Sequence, residues 1–180
     1  MQPTIKDRAV PTRGFSLIEL LIVVAIILVI AAIGVPSLLR ARMAANESAA
    51  VAAIRNIRNS EATYIITYAS AGFANTLAKL GPGAPNCDQN TACLVDELIG
   101  CKTEPCPKSG YGFSIKSDSA AEPFLDFTAT ASPLSFGNSG RNNYCVPDDG
   151  VLRQQRNPVA SIGPQTRKDC SDPAQFTPVQ

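Results

Sequence analysis

The stretch "RGFSLIELLIVVAIILVIAAIGVPS", residues 13–37, contains one acidic residue in an otherwise apolar run. Residues 20–33 include no polar side chain, and Glu19 stands directly before them. Residues 15–35 match the ~20 residues that a helix needs to cross ~30 Å of hydrocarbon. The sequence therefore predicts a membrane-spanning helix that carries a carboxylate near its start.

Three basic residues precede the apolar run, namely Lys6, Arg8 and Arg13. Because the cytoplasmic flanks of membrane helices carry the excess of Lys and Arg, we expect a cytoplasmic N-terminus and an exported remainder. The segment is compatible with a plain membrane anchor, or with a signal peptide cleaved near the small residues 31–34. Glu19 argues against both, because a charge deep in a bilayer costs roughly 2.5–3.5 kcal/mol and neither role needs it.

A third interpretation gives Glu19 a partner. Cleavage between Gly14 and Phe15 would create an α-amine four residues from Glu19. Such an amine, with an ordinary pKa of about 8, is cationic at neutral pH and would offset the carboxylate. A negative side chain is also favoured in the first turn of a helix. Between neighbouring helices, the amine of one subunit would meet Glu19 of another and set their axial stagger.

This segment resembles the N-terminal segment of type IV prepilins and of the related pseudopilins of type II secretion. The matching features are a basic leader ending in Gly14, Phe15 as first mature residue, Glu19, and Pro36 closing the apolar run. The resemblance implies that a membrane-embedded prepilin peptidase removes residues 1–14 and methylates the amine of Phe15. It also implies that Glu19 is needed for assembly, and that an ATP-driven machine draws subunits from the inner membrane into a helical filament.

The helical pattern continues beyond the membrane segment. Apolar residues recur at spacings of three, four and seven, which mark one helix face: Met43, Ala50, Ile54, Ile57, Tyr64 and Tyr68. We therefore predict one helix over residues 15–69, roughly 80 Å long at 1.5 Å per residue, with Gly72 as its terminating residue. Residues 15–36 would span the membrane and later form the filament core.

Gly34 and Pro36 are expected to break, kink or loosen this helix between its two halves. Pro36 lacks the amide hydrogen that would bond to the carbonyl of Ala32. A simple kink is common in membrane helices and explains the proline by itself. By resemblance to pilins, the segment would instead melt on assembly and let the fibre stretch.

A period of two replaces the helical period in the exported part, where Tyr111, Phe113 and Ile115 alternate with smaller or polar residues. We predict four strands, over residues 111–116, 124–130, 142–146 and 151–155. Short connections between them imply an antiparallel meander that covers the second half of the helix. The predicted fold class is α+β and similar to that of pilins: a long helix, a small sheet of three to four strands within residues 37–180, and an irregular tail over residues 156–180.

Six cysteines follow the membrane segment: Cys87, Cys93, Cys101, Cys106, Cys145 and Cys170. An even number in an exported region predicts disulfides. Six cysteines allow 15 pairings, among which the sequence cannot choose. Easy closure between near neighbours favours Cys87–Cys93, Cys101–Cys106 and Cys145–Cys170. Zinc binding by the first four would need looser spacings than zinc sites use, and no CxxC redox motif is present.

The chain contains no histidine, which excludes His-based triads, His general bases and zinc sites that need imidazole. A net charge of +1 gives no support for a nucleic-acid partner. Asp148 and Asp149, with Asp126, suggest a calcium site, but their spacing matches no ligand loop and turn formation explains them. We expect no catalytic residue, metal or cofactor.

These features together predict a non-enzymatic subunit of a type IV pilus, held first in the inner membrane with its head exported and then polymerised into an extracellular filament. Its partners would be other copies of itself, the prepilin peptidase and the assembly machinery. The six cysteines and the long tail favour a surface pilus over the alternative, the major pseudopilin of a periplasmic type II secretion pseudopilus. A further alternative is a membrane-anchored or secreted disulfide-rich binding module that never polymerises.

Overall fold

The computed structural model describes residues 14–83 and 86–179, so the predicted leader lies outside the described residues except for Gly14. The described chain divides into two compact units between Leu38 and Leu39. Its elements, in chain order, are α1 (Leu17–Thr67), α2 (Leu77–Leu80), β1 (Cys106–Lys108), β2 (Tyr111–Lys116), β3 (Thr128–Pro133), β4 (Tyr144–Pro147), β5 (Arg153–Gln155), α3 (Arg167–Ser171) and β6 (Phe176–Pro178). The predicted α+β class is confirmed.

Helix α1 is the long helix that the sequence predicts, two residues shorter at each end. It stays helical through Gly34 and Pro36, so neither residue ends it, and the loosening of the helix there remains a prediction. Gly72 does not terminate the helix as predicted, because α1 already ends at Thr67. Gly72 instead has a φ of 79° in the loop that follows, where a Cβ would lie 2.1 Å from the carbonyl oxygen of Phe124. Only glycine fits this close approach of two backbones.

The sheet has six antiparallel strands in the order β1-β2-β3-β4-β5-β6, rather than the three to four predicted. Strand β2 has the predicted bounds. Strand β3 starts at Thr128 and not at residue 124, because Phe124 pairs with Gly72 in an isolated bridge outside the sheet. Strands β4 and β5 each start two residues later than predicted.

Strand β1 lies outside the four strands that the sequence predicts. It pairs with β2 through a tight turn in which Ser109 and Gly110 have φ values of 49° and 76°. Two successive positive φ angles are typical of the turns that join twisted antiparallel strands. Pro107 lacks a backbone donor, and its place on an edge strand is where a sheet tolerates proline.

The two faces of the sheet bury different parts of the chain, because successive side chains on a strand point to opposite sides. The first face and the second half of α1 share one apolar core, which includes Ala50, Ile54, Ile57 and Tyr64 of α1 and Tyr111, Phe113, Ala129, Ala131, Tyr144 and Val146 of the strands. The predicted packing of this helix half under the head is confirmed. The second face carries Ser132, Thr130 and Cys145.

The tail after β5 covers this second face, and it contains one short helix and one strand of three residues beside its irregular segments. Backbone amides of Ile162 and Gln165 donate to the hydroxyls of Ser132 and Thr130, at 2.8 and 3.0 Å. Helix α3 begins at a capping box, in which Thr166 and the residue three places on bond to each other's backbone. The tail ends in β6, which pairs with β5.

The structure contains three disulfides, Cys87–Cys93, Cys101–Cys106 and Cys145–Cys170. These are the same three pairs that near-neighbour closure favours. The third joins strand β4 to helix α3 across 25 residues, and both of its cysteines are fully buried. The first closes a loop between residues 6 apart and is exposed. The buried disulfide therefore fastens the tail to the sheet.

We expect the double substitution Cys145→Ser and Cys170→Ser to lower the free energy of unfolding by roughly 3–4 kcal/mol. A crosslink over a longer segment removes more entropy from the unfolded chain. The matched change, Cys87→Ser with Cys93→Ser, is expected to cost roughly 2 kcal/mol, because its loop is shorter. Urea unfolding of the full chain in detergent, followed by circular dichroism, compares the two. An equal loss in both variants would contradict the role given to the buried disulfide.

Candidate functional site

The start of α1 brings three of the predicted site residues together. Gly14 and Phe15 lie just before the helix, separated from Leu17 by Ser16. The carbonyl of Ser16 accepts hydrogen bonds from the backbone amides of Glu19 at 3.1 Å and Leu20 at 3.2 Å. Glu19 thus lies in the first helical turn. The unpaired amides of a helix start favour a negative side chain there. This local electrostatic effect accounts for a carboxylate at the helix start but not for one among membrane-buried residues.

The first part of α1 is apolar on every side and is left uncovered by the rest of the described chain. Phe15 and Leu17 are each 82% exposed, and large apolar side chains on all faces of the following turns are at least 46% exposed up to Val35, among them Val24 and Ile33. The helix is long and apolar enough to cross a membrane. A helix that is hydrophobic all round must be buried in lipid or among other helices. Glu19 is the acidic residue of this surface.

The predicted break residues, Gly34 and Pro36, lie inside α1 at the end of this apolar surface. A Cβ added at Gly34 would meet nothing within 4 Å. The six cysteines lie in the other compact unit, as three disulfides. The predicted site residues therefore form three separate groups: one at the start of α1, the break residues farther along α1, and the disulfides in the head, which is the unit that begins at Leu39.

Glu61 is a buried carboxyl group that our reading of the sequence misses. Its side chain is fully buried, and its Oε2 accepts a hydrogen bond from the backbone amide of Ala74 at 2.9 Å. Its Oε1 has no partner among the described residues. Burial, with a smaller contribution from the nearby Glu104 carboxylate, raises the pKa of Glu61 to about 8, although the Ala74 amide and Lys79 oppose the rise. The helical period gives a sequence signal for its position, because Glu61 stands four residues after Ile57 on the buried face of α1.

Glu104 is a second half-buried carboxylate in the same region. Its oxygens accept the backbone amides of Leu77 at 2.6 Å and Ile115 at 2.8 Å. Burial raises the pKa of Glu104, and these two hydrogen bonds lower it in part. The two carboxyl groups thus hold the loop after α1 by its backbone, which is a structural role.

The carboxylates of the three aspartates considered as calcium ligands interact with other groups of the protein itself. Asp126 accepts hydrogen bonds from Ser117 at 2.8 Å and from the amide of Asp118 at 2.7 Å. Asp149 pairs with Arg153 at 2.7 Å, and Asp148 lies 3.2 Å from Arg167. Within residues 14–83 and 86–179, no group of three or more His, Cys, Asp and Glu side chains is placed to hold a metal ion. The geometry of the three aspartates fits turn formation.

Comparison with known proteins finds similarity at the N-terminus and beyond it. The family model of the prokaryotic N-terminal methylation motif matches residues 11–35, which include Gly14, Phe15 and Glu19. The chain is similar to the type IV wide pilus major component PilA4 of Thermus thermophilus. The two are 32% identical over 93 residues, covering 46% of this chain and 71% of that relative. No solved structure matches the chain.

Proposed function

The chain belongs to the type IV pilin family, and from this membership we propose that it is a structural subunit of a type IV pilus filament. A prepilin peptidase cleaves between Gly14 and Phe15, removes residues 1–14 and methylates the new amine. Residues 15–36 hold the subunit in the inner membrane and then form the filament core. Residues 37–180 supply the amphipathic helix half and the exported head. The relative's name as a pilus component favours a pilus over a secretion pseudopilus.

The observation that carries this proposal is the first turn of α1, where Glu19 stands in a surface that is otherwise apolar and uncovered. When the helix moves from lipid into a bundle of identical helices, its apolar side chains pass from one apolar environment to another. The hydrophobic effect alone therefore gives little preference for one axial offset between neighbouring helices over another. A carboxylate that is unpaired in lipid gains most by meeting a cation. The cleaved N-terminus of a neighbouring subunit supplies one, since an α-amine is protonated at neutral pH.

The same pairing sets the register of the filament. When the amine of an incoming subunit meets Glu19 of one already assembled, the axial offset between the two helices is determined. The assembly machinery and the prepilin peptidase are the other partners of the chain, and the disulfide-bonded head forms the outer surface of the extracellular filament.

Cleavage is tested by the mature N-terminus. We expect N-terminal sequencing and mass spectrometry of the membrane-extracted protein to find N-methylated Phe15 as the first residue. A chain that retains Met1, or that starts within residues 32–37, would contradict the proposal and support an anchor or a signal peptide.

Substituting Gly14→Val is expected to block cleavage and leave the precursor, heavier by residues 1–14, in the membrane. A Cβ at Gly14 meets nothing within 4 Å among residues 14–83 and 86–179, so the substitution causes no clash with this part of the subunit. The added bulk acts only where the peptidase must accommodate the residue before the cleaved bond. Gly34→Ala, which also meets nothing within 4 Å, is the matched control and should leave processing intact. Full processing of the Gly14→Val chain would count against the assigned cleavage site.

A further inference from the structure

The three disulfides of the head differ in how far solvent reaches their cysteines. Both cysteines of Cys87–Cys93 are exposed, whereas Cys101 is half-buried and its partner Cys106 is fully buried. These two disulfides close rings of nearly the same size, since their cysteines lie 6 and 5 residues apart. A thiolate must reach a sulfur atom in order to attack it. Solvent exposure therefore distinguishes Cys87–Cys93 from a disulfide of otherwise similar span.

The loop that Cys87–Cys93 closes is also held to the head by hydrogen bonds. The hydroxyl of Tyr64, a fully buried residue of α1, donates to the carbonyl of Gln89 at 2.7 Å. The backbone amide of Ala92 donates to the carbonyl of Lys79 at 2.8 Å. Neither hydrogen bond involves a sulfur atom, so both remain possible when the disulfide opens. We therefore expect the head to stay folded while this disulfide is open.

The two sulfur atoms of this disulfide have different neighbours. Cys93 Sγ accepts a hydrogen bond from the backbone amide of Gly83 at 3.4 Å. A hydrogen bond to an ionised acceptor is stronger than one to a neutral acceptor, so this amide stabilises a thiolate at Cys93. Cys87 is followed directly by Asp88, whose carboxylate accepts the backbone amide of Asn90 at 2.8 Å. A negative charge beside Cys87 disfavours a second one on its sulfur. Cys93 is therefore the better leaving group of the two.

We propose that Cys87–Cys93 is a site of thiol modification, at which the thiolate of an external thiol attacks Cys87 Sγ and forms a mixed disulfide. The new bond joins the attacking sulfur to Cys87 Sγ. The bond between Cys87 and Cys93 breaks, and its electron pair goes to Cys93 Sγ, where the Gly83 amide stabilises the charge until a proton is taken up.

The class of thiol decides the product. A monothiol stops at the mixed disulfide on Cys87. A dithiol goes further, because its second thiolate attacks its own first sulfur and releases Cys87. The dithiol is then oxidised to a disulfide, and Cys87 and Cys93 are reduced to two thiols. Neither reaction requires the subunit to polymerise, so the inference is independent of the proposed function.

The site is tested on the full chain in detergent, treated with excess glutathione, quenched with iodoacetamide at successive times and mapped by mass spectrometry. We expect glutathione on Cys87 and the alkyl group of iodoacetamide on Cys93. Cys101–Cys106 is the matched control within the same molecule and should open at least about tenfold more slowly. Cys145–Cys170 should open roughly 1,000-fold more slowly or less, because a buried disulfide exchanges only when the head unfolds. The dithiol dithiothreitol should leave Cys87 and Cys93 both alkylated, without an adduct.

Three results would overturn the proposal. Adducts that form on Cys101 or Cys106 as fast as on Cys87 would show that exposure does not select the site. Glutathione found mainly on Cys93 would contradict the role given to the Gly83 amide. Loss of the native circular dichroism spectrum as Cys87–Cys93 opens would show that the exchange requires unfolding.

The double substitution Cys87→Ser and Cys93→Ser removes the site while Cys101–Cys106 and Cys145–Cys170 remain. This variant should form no adduct over the time in which the parent chain is labelled. An adduct on the variant at the parent's rate would place the reactive disulfide elsewhere in the head and refute the assignment.

Discussion

Substituting Glu19→Ala is expected to abolish filaments while the processed subunit still accumulates in the membrane. The change removes the one carboxylate of an otherwise apolar helix surface, so membrane insertion becomes more favourable by roughly 2.5–3.5 kcal/mol at most. In a filament, the amine of the neighbouring subunit then loses its counter-ion and remains as an uncompensated charge among apolar helices. Breaking a buried ion pair in this way typically costs 3–5 kcal/mol for each contact, about two to four powers of ten in the association constant.

The measurement is the yield of sheared filaments by sedimentation and electron microscopy, with mass spectrometry of the membrane fraction in parallel. Glu19→Gln keeps the shape of the side chain without its charge and should fail like Glu19→Ala. Glu97→Gln makes the same chemical change at an exposed residue of the head and should assemble normally. Normal filament yield from both Glu19 variants would refute the register mechanism, whatever the state of the head.

The head is expected to lose stability as the pH rises from about 4.5 to about 8, because Glu61 is buried. Its folded-state pKa of about 8 lies above the ordinary value of 4.5, so between these values the folded state binds a proton that the unfolded chain releases. The stabilisation is complete below the unfolded pKa and is lost as the pH passes the folded pKa. A shift of this size corresponds to roughly 5 kcal/mol of unfolding free energy.

Glu61→Gln separates this effect from those of the other carboxyl groups. Glutamine resembles the protonated acid and can still accept the amide of Ala74, so the variant should match the parent near pH 4.5 and exceed its stability by roughly 5 kcal/mol at pH 8. Glu104 titrates in both chains, but its carboxylate interacts with Glu61, so the difference between the chains reports the ionisation of Glu61 together with that interaction. Urea unfolding at several pH values gives the comparison, with Glu97→Gln as the exposed control. If the free energy of unfolding of the parent chain does not change from pH 5 to 8, ionisation of Glu61 does not destabilise the folded head, and the prediction is wrong.

The N-terminal helix could be predicted almost completely from the sequence. Its apolar composition, its 3.6-residue period and the position of Glu19 are local properties of consecutive residues, and α1 begins and ends within two residues of the predicted bounds. Strand β2 was equally predictable, because Tyr111, Phe113 and Ile115 alternate without interruption. The α+β class followed from these two patterns and from the short connections between strands.

Glu61 shows why a buried polar residue escapes such a prediction. The helical period places it on the buried face of α1, but a period cannot tell whether an acid at the end of an apolar face reaches solvent. Its burial depends on the loop after α1, which returns to place the amide of Ala74 beside it. A contact between a helix residue and a loop residue 13 positions later has no periodic signature.

The sequence by itself determined the membrane helix, its carboxylate and the likeness to pilins, because composition and spacing along one helix suffice for these. Only the tertiary structure decided that Cys106–Lys108 and Phe176–Pro178 complete the sheet at its two edges, and that Glu61 is buried. Edge strands are short and rich in proline, so their local preference for a strand is weak. Cys106–Lys108 forms because β2, joined to it by a tight turn, offers backbone hydrogen bonds, and Phe176–Pro178 forms because β5, which is distant in sequence, offers them. Both edges also depend on the surface of the assembled head.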